Sequence, residues 1–153
     1  MTREQILHMM NTVRGFTLHT VDGLDQRQLT RIPEGCRNNV LWNLGHIACI
    51  QCALVYMPSR NPMPIPTWFR KKCYDGTSPD DWDSPPGIDD VLGTLKSLNE
   101  TICHDLDAGL FEAFRPFDLV PGLTLHDAEE ALSFHTVHEG MHLGIIMTLK
   151  KAA

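Results

Sequence analysis

The sequence predicts an all-α protein, a four-helix bundle, and three observations lead there. Four long stretches, over about 3–22, 40–56, 89–107 and 125–150, repeat apolar residues at helical period. No stretch between them reads as a convincing strand. A chain of 153 residues suits a single domain over 1–153, with room for a sizeable core and too little for two.

Thr2, followed by Arg-Glu-Gln, reads as the N-cap of the first helix, whose apolar positions are Ile6, Met9, Met10, Val13, Phe16, Thr17 and Val21. Asp22-Gly23 ends it, and residues 23–38 carry the Gly and Pro of a connection with room for one helical turn. Asn38 or Asn39 caps the second long helix, which is apolar around most of its circumference and therefore central to the bundle. From Met57 to Gly87 the chain is rich in proline but also holds Trp68, Phe69, Tyr74 and Trp82. Such a segment is expected to be ordered, to cover one end of the bundle, and to include a short helix near 67–74. Its aromatics either shape a binding site or only cover the core. Asp89-Asp90 opens the third helix with acids at its positive end. Residues 108–123 form a second connection, and Thr124-Leu-His-Asp127 resembles a capping box for the last helix, which closes on Lys150-Lys151.

The net charge of −6 provides no basic footprint for nucleic acid, so DNA and RNA are not expected partners. No run of 18 apolar residues and no apolar leader occurs, so the expectation is a cytoplasmic protein without a membrane span. The five cysteines are odd in number and unevenly spaced, as for reduced thiols. Cys49-Ile-Gln-Cys52 has redox-motif spacing, but mid-helix and with no second pair it reads as two small core residues.

Three of the eight histidines, His135, His138 and His142, fall within one short stretch of the last helix. At about 100° per residue they lie within roughly 60° of one another. Leu132, Ile145 and Leu149 continue the stripe in apolar residues, which places the imidazoles on the buried side, where each needs a partner. His138 and His142, four apart, can converge on one cation. His46 is the one basic side chain of the central helix and is either a core histidine or a third ligand. His8 and His19 have no second titratable group at ligand spacing and read as surface or structural residues.

The segments Asn43-Leu-Gly-His46-Ile and His138-Glu-Gly-Met-His142-Leu-Gly, separated by a long aromatic and proline-containing connection, resemble the DinB-like superfamily over nearly the whole chain. The resemblance implies a four-helix bundle, often dimeric, with a divalent metal on three histidines: His46, His138 and His142. The metal in such proteins is nickel, zinc or another ion, iron and manganese included. Relatives use low-molecular-weight thiols such as bacillithiol or mycothiol in S-transfer and isomerisation. The family name refers to DNA-damage induction and implies no DNA binding. The glutamine that often follows the last His-x-Gly is Ile145 here.

Asn43, one turn before His46, is the best polar support for a ligating imidazole. His135 is a supporting residue behind the ligands, a proton shuttle, or a replacement ligand if the register differs by a turn. Glu139 reads as a solvated acid in preference to an orienter of His138. Cys49, one turn after His46, is the thiolate alternative, which would make a closed structural zinc site. The expected function is a metal-dependent thiol S-transferase acting on a small thiol and an electrophile, as a homodimer; a metal-dependent hydrolase and a non-catalytic metal-binding stress-related bundle are the alternatives.

Overall fold

The computed structural model describes residues 1–152. Four long helices, α1 (Arg3–Val21), α3 (Val40–Tyr56), α5 (Ile88–Asp107) and α6 (Ala128–Ala152), form an all-α bundle, with the short helices α2 (Gln26–Thr30) and α4 (Thr67–Cys73) in the connections. A hairpin of β1 (Phe117–Val120) and β2 (Leu123–Leu125) and a 3-10 turn at Pro79–Asp81 complete it. The apolar faces meet in one core, with Leu41, Leu44, Ile47, Leu95, Ile102, Leu132 and Ile146 fully buried. Thr2 caps α1 in a reciprocal capping box with Gln5, and Asn39 caps α3 through the Trp42 amide.

The side-chain pairings set the helix directions. Arg3 meets Glu129, Arg14 meets Glu139 and Lys150 reaches Thr20 O, so α1 and α6 run parallel. Gln51 meets Asn99 and Tyr56 meets Asp105, so α3 and α5 are also parallel, while His142 on Asn43 makes α6 antiparallel to α3. Two sequential parallel helices need a connection that returns the length of the bundle. That is the physical reason for the long segment 57–87. It does not cover one end, as the sequence suggested, but climbs along α3: Asn61 bonds Leu110 O at the foot, Cys73 lies against Gly45 midway, and Thr77 and Ser78 meet Trp42 and Arg37 O at the top.

One close approach in this climb is at Gly45. A Cβ there would stand 2.4 Å from Cys73 Sγ and 2.9 Å from Cys73 Cβ, and Cys73 is itself fully buried. Gly45→Ala is therefore expected to push α4 off α3 and to destabilise the fold by about 1–3 kcal/mol. A melting temperature equal to wild type would show that the contact can relax without cost.

Two local expectations are corrected. Residues 117–125 form a hairpin where the sequence suggested only a connection. Phe117-Asp-Leu-Val120 alternates, and Pro121-Gly122, with Gly122 at φ 88°, makes a two-residue turn of the kind that needs proline then glycine. Strands this short lie below the reach of periodicity. The last helix starts at Ala128, and its first turn is capped by Asp127, whose Oδ1 accepts from the Glu130 amide at 2.8 Å. Thr124, taken as the cap, lies in β2 and donates to Asp118 instead.

Candidate metal centre

His46 projects from α3 toward His138 and His142, which stand one turn apart on α6. The three rings offer nitrogen atoms that all lie within 4.8 Å of one another. Ring centroids are 4.8 Å apart for His46 and His142, 5.3 Å for His46 and His138, and 4.5 Å for His138 and His142.

Two of the rings are held by acceptors that fix their tautomers. His46 Nδ1–H donates to Cys73 O at 2.9 Å, and His142 Nδ1–H donates to Asn43 Oδ1 at 2.8 Å. The Asn43 amide is oriented in turn, because its Nδ2 donates to Asn39 O at 2.7 Å. With Nδ1 protonated, each ring keeps its Nε2 lone pair free, the form in which imidazole ligates a cation. Trp42 stacks on His46 at 4.5 Å and 12° and restricts the ring further. His138 differs: its Nδ1 is buried with no protein partner. An unsatisfied buried polar atom beside two prepared imidazoles fits a group such as a cation that needs its lone pairs.

Burial disfavours the charged form of all three rings, and repulsion from neighbouring imidazoles adds to it at His138 and His142. His142 is pushed down to about 3 and His138 to about 4, while His46 is lowered mainly by burial. Near neutral pH the site is thus three neutral donors, a set suited to zinc, nickel, iron or another divalent ion.

Beside the imidazoles a cleft of about 720 Å³ opens, walled by the α3 stripe Ile50, Leu54 and Met57, by Phe117 and Leu119 of the hairpin, and by Phe134 of α6. His46 and His138 form part of its lining.

The DinB superfamily model matches residues 9–146, which is most of the chain. The chain belongs to the DinB superfamily. No curated protein matches it. For this DinB-superfamily protein the three histidines brought together are those that the sequence resemblance implied, and Asn43 touches His142 rather than His46.

Other expectations change. Glu139 is not a solvated acid: it is 1% exposed and takes both ends of the 4%-exposed Arg14 guanidinium, with Oε1 and Oε2 accepting at 2.8 and 3.0 Å. Arg14 also donates to Leu95 O and Gln51 Oε1, and Gln51 Nε2 to Asn99 Oδ1, so one polar network ties all four long helices. His135 is fully buried outside the ligand trio, with Nε2–H donating to Ile47 O at 3.1 Å. Burial first, and the Arg14 charge second, hold it neutral well below the usual imidazole range. Cys49 is buried in the core, where desolvation raises its thiol pKa strongly, and it does not join the imidazole cluster. Ile146, fully buried, holds the core position assigned to Ile145, which is 45% exposed. All five cysteines are free thiols, and no helix among the described residues is long and apolar enough to cross a membrane.

Arg14 and Trp42 are the residues near the site that sequence reasoning missed. Arg14 falls on the buried stripe Met10, Arg14, Thr17, Val21. A lone charge on an apolar face at spacing i, i+4 was the available signal. Trp42, one turn before His46, carried the same spacing cue.

Proposed function

We propose that this protein is a metal-dependent thiol S-transferase. The observation that carries the reading is the placement of three neutral imidazoles at the side of a large apolar cleft. His46, His138 and His142 would hold the ion, and Cys73 O and Asn43 keep two of the rings turned toward it. A divalent ion held there supplies Lewis acidity, which lowers the pKa of a small thiol so that its thiolate is available near neutral pH.

Among the described residues no cysteine offers a thiolate at this place. Burial keeps Cys49 and Cys73 protonated, with Cys73 pushed up to about 12. The reading therefore calls for a separate thiol. Its proton passes to solvent, a sulfur–carbon bond forms on the electrophile, and the bond to the leaving group breaks with its electron pair. The lining beside the imidazoles is largely apolar, which suits an apolar electrophile.

The test is to incubate metal-loaded protein with bacillithiol, mycothiol, coenzyme A or glutathione and a model electrophile. Thioether formation that depends on metal and is lost in His138→Ala is the expected result. No metal-dependent rate with any thiol would overturn the reading, and ester or amide turnover without thiol would replace it with hydrolysis.

A further inference from the structure

The far end of the cleft carries two charges that the fold does not pair. Arg60 and Arg115 both line it. Both side chains are exposed, and among the described residues neither guanidinium has a carboxylate within ion-pair distance. The two segments are clipped together, since the Arg115 amide donates to Pro58 O at 3.2 Å. On a chain of net charge −6 this is a local reversal of sign. The third charged group of the lining, Asp75, lies at the opposite end, near enough to His46 to act on its protonation.

Arg60 also sits where stability alone would favour glycine. α3 closes with the Asn61 amide on Tyr56 O at 2.9 Å and the Arg60 amide on Met57 O at 3.0 Å. This helix-ending turn holds Arg60 at φ 58°, the one non-glycine residue of positive φ among those described. Glycine takes that conformation without penalty and a side chain does not. A strained arginine that lines a cleft is a candidate for recognition.

Between the two ends the wall is apolar. His46, Ile50, Leu54 and Met57 recur along one face of α3 and all line the cleft. At 1.5 Å per residue, the path from His46 to the foot of α3 is roughly 15 Å. A molecule that meets both ends is therefore long, apolar in its middle and anionic at one end.

We propose that the cleft takes an apolar carboxylic acid, its carboxylate held by Arg60 and Arg115 and its chain lying along the α3 stripe toward the three imidazoles. That the far end is the reacting end of an electrophile rests on the function proposed above; binding of the acid does not. Arginine offers the planar, charge-assisted donors that carboxylates fit, and the α3 stripe with Phe117 and Phe134 receives the chain.

Calorimetric titration of the full chain as purified, with octanoate and with octanol, tests this. Octanoate is expected to bind about tenfold or more tightly than octanol. Arg60→Gly and Arg115→Gln should each abolish most of that preference and leave octanol affinity unchanged. Arg60→Gly should melt no lower than wild type, because it relieves the backbone, which separates recognition from folding. Equal binding of acid and alcohol, binding of neither, or a preference that survives in both variants would overturn the proposal. Octanoate binding without thiol turnover leaves it standing, and thiol turnover without octanoate binding removes it alone.

Discussion

Glu139→Ala is expected to lower stability by about 3–5 kcal/mol, because it leaves the Arg14 guanidinium buried without its anion. Arg14 is held at once by Glu139, Gln51 and Leu95 O. The two hydrogen bonds that would remain go to neutral groups and cannot replace the carboxylate. For a chain of this size the loss corresponds to a fall in melting temperature on the order of 10 °C. Arg14→Met should cost a similar amount, since it strands the carboxylate.

The double variant Arg14→Met with Glu139→Leu separates the pair's net worth from the cost of breaking it. Removing both charges also removes both desolvation penalties, so the double variant is expected to be more stable than either single one. Urea unfolding of the four proteins gives the coupling directly. If the single variants add without coupling, the ion pair is not the element that ties the four helices. The network also lies directly behind the imidazoles: Glu139 follows His138 in sequence, and Arg14 lowers the protonation of His135.

The residues that were legible in the sequence share one property: their signal is local. Capping at Thr2 and Asn39, the apolar period of the long helices, and the four-residue spacing of His138 and His142 all lie within a few turns of chain. The ligand role of His46 became legible only by resemblance, because its partners lie on another helix. The pairing of Arg14 with Glu139 was not legible for a related reason. Arg14 carried only the cue of a charge on an apolar stripe, Glu139 alone on its helix reads as solvent-facing, and burial becomes tolerable only once the two meet across the bundle. The stripe on α6 was also misplaced by a fraction of a turn. Its buried centre runs through Leu132, His135, Glu139 and Ile146, which leaves His138 and His142 at the edge that faces α3. That offset is what allows the pair to be half-buried donors beside a cleft and not core residues.

The second large effect concerns the imidazoles and pH. Elemental analysis of wild type is expected to give a stoichiometric divalent metal, and His46→Ala, His138→Ala and His142→Ala are each expected to lose it. Asn43→Ala should weaken affinity by about 10–100-fold, since the ligand ring loses the acceptor that orients it. A ligand must be deprotonated, so protons compete with metal only below the folded-state pKa values. With His138 at about 4, His142 at about 3 and His46 lowered by burial, all under the ordinary 6.5, affinity should stay level from pH 8 down through 6.5 and fall only at lower pH. Metal loss beginning near pH 6.5 would mean that the rings are not held neutral by burial and by one another. The metal-free protein supplies the second reading with a definite sign. Between the folded values and 6.5 the unfolded chain binds more protons than the folded one, so stability rises with pH across that window and is complete above it. Converting His142 to Ala removes the lower of the two low-pKa groups. The acid side of the metal-free stability curve should therefore become shallower, while the same substitution abolishes metal uptake at every pH.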